Sequence, residues 1–308
     1  MKLSSLLTAG VAGLALLATS PALADDHAAT EPEAAVALPE GPEGPALWKV
    51  SDEDTTIYLF GTVHVLPKEL VWYDAEIDAA LSSSDTVVTE IRMDPASEAA
   101  MGQLAQSRGV FIDGTTLRSL LSDEQKTTYE AALAGLGAPP QAFDTMKPWL
   151  AGLTLSLVPL MQQGYDPNSG VDKVILSKAG DQTQDALETA EFQIGIFDGL
   201  PQAAQVAFMM EAVEGMPKVK ETIDSMVAEW VDGDPDGLAA VMNADLSDEA
   251  LAESLLYSRN ATWAEWIEAR LDSTPGTVFM AVGAGHLAGD KSVQDFLVKR
   301  GIKSERVQ

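Results

Sequence analysis

Two histidines, His64 and His286, stand in the same sequence frame. The run Tyr58-Leu59-Phe60 leads into Gly61-Thr62-Val63-His64, and Met280-Ala281-Val282 leads into Gly283-Ala284-Gly285-His286. Each is an apolar strand pattern closed by Gly-x-x-His. Glycine lets the backbone leave a strand with unusual dihedrals or lie close to a ligand. The imidazole is then offered at the carboxyl end of the strand, where open α/β sheets place their ligand sites. A third apolar run, Thr86-Val87-Val88-Thr89, ends in a carboxylate, Glu90. Two imidazoles and a carboxylate on three strand ends are donors for a divalent transition ion, which makes His64, His286 and Glu90 the candidate metal ligands. A single strand-end histidine is more often a hydrogen-bonded structural residue; the repeated frame is what points to a ligand pair.

Arg259 is a second clue. A helix predicted from about Asp248 to Leu271 puts Leu251, Leu255, Leu256, Trp263, Trp266 and Ile267 on one face, and Arg259 falls inside that apolar stripe. A buried guanidinium needs a partner. It is either a structural ion pair, a stem that reaches out to solvent, or a group facing the site to hold an anion or an oxyanion. Glu188 follows a short strand pattern, and Glu191 with Gln193 opens a helix, where an acidic first turn is ordinary helix-dipole chemistry. Gly170-Val171-Asp172 reads by itself as a turn with a capping acid. Asp232, Asp234 and Asp236 resemble half a calcium loop, but Asn243 stands where the bidentate glutamate is needed, so a solvated turn is the better reading.

For these residues to meet, their strands must share a sheet. Leu47–Val50 and Thr56–Gly61 read as strands joined by the polar turn Ser51–Asp54. Leu70–Ser83 predicts a helix and Asp85–Ile91 a short buried strand, an order that implies an α/β crossover unit. From Pro95 to about Arg270 the pattern is mostly helical, with Gln184–Leu187 a short strand. A strong strand over Thr277–Val282, a helix over Lys291–Arg300 and a strand near Arg306 close the chain. The expected fold is α/β (or α+β): a sheet built from N- and C-terminal strands, with a large helical block inserted between them. Trp149–Met161 is apolar nearly all round and carries Pro159, which predicts a buried core helix too short to cross a bilayer.

The opening residues carry Lys2, an apolar run from Leu6 to Ala18 and an Ala22-Leu23-Ala24 ending. That is the pattern of a cleaved secretory signal over 1–24, cut after Ala24, and it implies a periplasmic or secreted protein without a stable membrane anchor. Residues 25–46 hold six acidic residues, four prolines and no basic one, an acidic, proline-rich leader with nothing to bury. His27 lies in it and has no partner pattern. A single domain is then expected over 47–308. The chain has no cysteine, so neither disulfides nor thiolate chemistry are open to it. A formal charge of −28 repels phosphate backbones and anionic lipid, which excludes nucleic-acid partners.

Taken in order, Leu47-Trp48-Lys49-Val50, Gly61-Thr62-Val63-His64, Glu90, Gly170-Val171-Asp172, Leu187-Glu188-Thr189, Arg259-Asn260 and Val282-Gly283-Ala284-Gly285-His286-Leu287 resemble the TraB/GumN family, a relative of the Tiki metallopeptidases. The resemblance covers nearly the whole domain. It implies two Gly-x-x-His motifs plus a separate acid as the family's hallmark and, from the Tiki branch, a peptidase dependent on manganese or cobalt. Other branches of the superfamily are tied to haem binding and ester hydrolysis. The expectation is therefore a metal-dependent hydrolase acting on a peptide or small-molecule substrate. His64 and His286 would be ligands to a divalent ion (manganese, cobalt or zinc), and Glu90 a third ligand or general base. Arg259 would steady an oxyanion, with Asp172, Glu188, Glu191 and Asn260 orienting these groups or touching substrate. The alternative is a non-catalytic periplasmic protein that binds metal, haem or peptide.

Overall fold

A computed structural model describes residues 44–243 and 249–308. The expected signal sequence over 1–24, His27 and the expected leader as far as residue 43 lie outside the described residues, as does Asp248 at the expected start of the Arg259 helix. Among the described residues there are eight strands. They are β1 (Leu47–Ser51), β2 (Thr55–Thr62), β3 (Leu66–Pro67), β4 (Thr86–Thr89), β5 (Tyr165–Asp166), β6 (Thr183–Ala186), β7 (Gly276–Gly283) and β8 (Glu305–Arg306). Six of them form one mixed sheet in the order β6-β4-β7-β2-β1-β8, and the remaining two, β3 and β5, pair separately.

The four strands β6, β4, β7 and β2 are mutually parallel; β1 pairs antiparallel with β2, and β8 antiparallel with β1. N-terminal β2 and C-terminal β7 lie side by side along their whole length, from Thr55↔Gly276 to Thr62↔Gly283. This is the sheet built from both chain ends that the sequence predicts, with the helical block between β4 and β7 interrupted by β5 and β6.

Side-chain alternation along β7 explains why this strand is apolar without a break. Phe279 and Ala281 enter one core cluster, Val278, Met280 and Val282 another. A central strand covered on both faces buries every side chain. One face packs on helices of the inserted block, among them Pro148–Gln162 and Val219–Val231; the other packs on Ser258–Ser273 and Val293–Lys299. Pro148–Gln162 is apolar all round for a related reason. Trp149, Leu153 and Leu157 face the sheet cluster, while Ala151 and Leu155 face a third cluster with Tyr129, Leu133 and Met209. Among the described residues no helix is long and apolar enough to cross a membrane.

Boundaries differ where caps intervene. The helix expected from Leu70 begins at Ala75, because Asp74 Oδ1 accepts the Ile77 N–H and caps it. Trp72, just before that cap, instead packs on Phe60 and Trp230. The packed domain also takes in Gly44, Pro45 and Ala46, which are buried although they belong by composition to the leader. In the Asp232–Asp236 turn, Asp234 accepts the N–H groups of Asp236 and Gly237, a helix start of the ordinary kind.

Candidate functional site

The carboxyl ends of the four parallel strands converge on one edge of the sheet, and each is followed by a polar residue. His64 lies two residues beyond β2, Glu90 directly after β4, Glu188 two residues beyond β6, and His286 in the 3-10 turn Ala284–Leu287 after β7. All four are largely or wholly buried, His286 completely so. Small residues permit the crowding. A side chain at Gly61 would sit 3.0 Å from the Ala284 backbone. A Cβ at Gly170 would fall inside contact distance of the His64 carbonyl oxygen. Gly170→Ala should therefore cost about 1–3 kcal/mol in a urea-denaturation measurement; unchanged stability would mean that this junction is loose.

That junction orients the first imidazole. The Val171 N–H donates to the Val63 carbonyl at 2.9 Å and sets the helix Val171–Lys178 against the His64 loop. Asp172, in the first turn of that helix, receives the His64 Nδ1–H at 2.6 Å and the Thr62 hydroxyl at 2.9 Å. With Nδ1 so engaged, the lone pair of neutral His64 is on Nε2, which is buried and has no hydrogen-bond partner. Burial alone would depress the pKa of His64, but the charge and hydrogen bond of Asp172, with the charge of Glu90, outweigh it and raise it.

The second imidazole is held by a different partner in the same way. His286 Nδ1 and Asn260 Oδ1 are 2.5 Å apart, and the Asn260 amide nitrogen donates to the Lys291 carbonyl at 2.8 Å. That second bond fixes which end of the amide faces His286, so Nδ1 carries the proton. The bare Nε2 receives a hydrogen bond from Arg259 Nη1 at 3.1 Å and lies 3.7 Å from Glu90 Oε1. Burial first, and then the Arg259 charge, lower the His286 pKa to about 3, so it stays neutral.

Arg259 is the hub. Nε and Nη2 grip Glu188 at 2.8 and 2.9 Å, Nη2 also reaches Glu90 at 2.6 Å, and Nη1 donates to the Leu255 carbonyl at 2.8 Å as well as to His286. All five guanidinium N–H donors are thereby spent. Gln193 bridges the two acids, donating to Glu90 and Glu188 at 3.0 Å each, and the Trp263 indole donates to Glu188 at 3.0 Å. The Gly283 N–H donates to Glu90 at 2.7 Å. Burial works to raise the Glu90 pKa, but the neighbouring Arg259 charge in particular overrides it and brings it down to about 2.

With this geometry in hand, the comparisons place the chain. The model of the TraB/PrgY/gumN family matches residues 46–306. The chain belongs to the TraB/PrgY/gumN family. It is also 18% identical over 266 residues to an uncharacterized protein of Treponema pallidum (strain Nichols), covering 82% of this chain and 80% of that one. No solved structure matches.

Of the residues that sequence singles out in this family member, Glu90, Glu188, Arg259, Asn260 and His286 form one hydrogen-bonded cluster, while His64 and Asp172 form a pair of their own that feels the charges of Glu90 and Arg259. Glu191 joins neither. It is exposed in the first turn of the helix Ala190–Asp198, and Gln193, two residues on, turns inward instead. Trp263 was legible only as core, yet its ring lies 4.3 Å from the His286 ring and 4.9 Å from the Arg259 guanidinium. Arg259 unites two of its expected roles, being an ion pair and a site residue at once, but no N–H remains free for an oxyanion.

The two imidazoles fit a divalent transition ion in their donor chemistry: each has Nδ1 engaged by an oxygen, which leaves Nε2 as the donor, the arrangement of histidine ligands backed by an oriented partner. Among the described residues, however, no three His, Asp or Glu groups stand together as a metal-holding set. Arg259 bonds to both Glu90 and His286 Nε2.

Proposed function

We propose that the chain is an exported hydrolase, most simply a peptidase, that depends on a divalent transition ion (manganese, cobalt or zinc) held by His64 and His286. One observation carries this reading: His64 Nε2 is buried and has no hydrogen-bond partner, while Asp172 fixes the opposite nitrogen. A buried imidazole nitrogen without a partner is costly unless something binds there. When bound, a divalent ion polarises an acyl carbonyl and lowers the pKa of its water to about 7.

The chain's own groups have separable tasks. Asp172 keeps His64 in the tautomer whose lone pair is on Nε2, and Asn260 does the same for His286. Glu90, ionised and 3.7 Å from His286 Nε2, is the acid beside the ligands and serves as third ligand or proton acceptor. Glu188, Gln193 and Trp263 hold Arg259 and Glu90 in register. The substrate is a peptide or small acyl compound rather than a polyanion, in keeping with a net charge of −28. Export to the periplasm or beyond is the reading that Lys2, the apolar run Leu6–Ala18 and Ala22-Leu23-Ala24 support.

The purified protein is expected to bind one equivalent of manganese, cobalt or zinc by calorimetry and to cleave members of a broad peptide library. His64→Ala and His286→Ala should each abolish both while the circular dichroism spectrum is retained. Asp172→Asn should weaken ion binding roughly 10–100-fold. Cleavage that survives in both histidine variants, or a wild-type protein that binds no ion, would sink this reading. Stoichiometric metal or haem binding without turnover would make the protein a carrier instead.

A further inference from the structure

Beside the strand ends, where β1 begins and β2 ends, lies an open cleft of about 260 Å3. Gly61 and Ala284 form part of its wall, and they stand three and two residues before His64 and His286. Trp48, Trp230 and Leu238 make the wall largely apolar, and Glu229 and Asp234 add carboxylates. Sites for drug-sized ligands run to roughly 300–1,000 Å3, so this smaller cleft suits a single side chain. We infer that it is a subsite for an arginine side chain of a peptide substrate. This rests on the peptidase reading above and deepens it by naming a substrate residue.

Three features support it. The first is the aromatic wall. The Trp230 indole donates to the Gly61 carbonyl at 2.8 Å and packs edge-on against Trp72 with ring centres 5.5 Å apart, so its ring is held in place. A fixed tryptophan face attracts a planar guanidinium. The second is charge. Asp234 spends Oδ1 on the N–H groups of Asp236 and Gly237, which leaves Oδ2 for a ligand. A Cβ at Gly237 would touch both that oxygen and Glu229 Oε2, so the glycine lets the two carboxylates stand close together. Such a pair calls for a cation with several donors, and a guanidinium carries five. The third is a precedent within the chain. At the lip of the cleft the Arg306 guanidinium lies 5.1 Å over the Trp48 ring, and Nη2 donates to the Gly233 carbonyl at 2.6 Å. One guanidinium beside two carboxylates still leaves a negative charge for an occupant. Residues 25–43, which join the described chain at Gly44 beside Gly233, hold six acids and no lysine or arginine, so the required cation comes from another molecule.

The test titrates the purified protein, labelled with 15N-tryptophan, with Nα-acetyl-arginine methylamide. The Trp48 indole resonance, identified as the one missing in Trp48→Phe, should shift and saturate below about 10 mM. The norleucine analogue keeps the stem but loses the charge, and it should bind at least about tenfold more weakly. The double variant Glu229→Gln, Asp234→Asn should weaken the arginine ligand by a similar factor. Asparagine keeps the helix cap that Asp234 provides, so the fold is retained. No saturable shift, an equal response to the norleucine analogue, or an indifferent double variant would each overturn the subsite. The titration needs neither metal nor turnover, so it separates the two readings. Peptide cleavage with no arginine response removes the subsite and leaves the peptidase. A charge-dependent arginine response in a protein that cleaves no peptide removes the peptidase, and with it the word substrate, but leaves the arginine cleft.

Discussion

Arg259→Met is expected to remove about 3–5 kcal/mol of folding stability at neutral pH. The substitution keeps an apolar stem of similar length but leaves Glu90 and Glu188 ionised and buried without their shared cation. Arg259 is 5% exposed and Glu90 4%, so water cannot take over the lost bonds. The Gln193 amide, the Trp263 indole and the Gly283 N–H would remain, which is less than two carboxylates need. Removing the guanidinium also removes what keeps the Glu90 carboxyl low, so a proton becomes the cheapest replacement cation. Urea denaturation of the variant should accordingly show a smaller deficit at pH 5.5 than at pH 7. A loss under about 1 kcal/mol at both pH values would mean that the network behaves like a surface ion pair, and its central place in the site would have to be given up.

How much of this could be read beforehand depends on which interactions are local. Strand-end patterns are local: the approach to His64, Glu90 and His286 was written in apolar runs closed by glycine or an acid, and the sheet duly aligns β2, β4 and β7 with those ends together. Gly170-Val171-Asp172 reads locally as a turn with a capping acid, but Gly170 lies against the His64 backbone and Asp172 takes the His64 Nδ1–H, contacts that only the fold brings about. The Arg259 stripe was half right. Leu251, Leu255 and Leu256 pack in one core, Trp263 and Ile267 in another. The π segment between them shifts the register, which a fixed 100° per residue cannot represent. Arg259 and Asn260 sit at that crossover, which is why they meet the strand ends. Glu191, the acid that opens the helix Ala190–Asp198, is exposed, and the amide of Gln193 takes the inward place. Two carboxylates facing each other across a cluster call for a donor, and Gln193 supplies it twice.

The same cluster is expected to lend less folding stability on either side of about pH 6.5. His286 has a folded pKa of about 3 against an ordinary 6.5, so between these values the unfolded chain binds a proton that the folded protein refuses. Stability must then fall as pH drops through that window, by on the order of 3 kcal/mol at its acid end. Glu90, lowered from 4.5 to about 2, adds to the loss only below pH 4.5. His64 acts in the opposite sense. Its folded pKa is raised, so the stability it lends is complete below 6.5 and drains away as pH rises through the raised value. Between pH 6.5 and 4.5 the site therefore changes stability chiefly through His286, since the carboxylates lowered elsewhere, such as Asp144 and Asp166, start from 3.8. Urea midpoints taken every half unit across that interval should decline steadily in wild type and stay level in His286→Gln, whose amide has no proton to gain. A wild-type curve that is flat from pH 6.5 to 4.5 would contradict a neutral, guanidinium-capped His286, and with it the tautomer on which the second donor nitrogen depends.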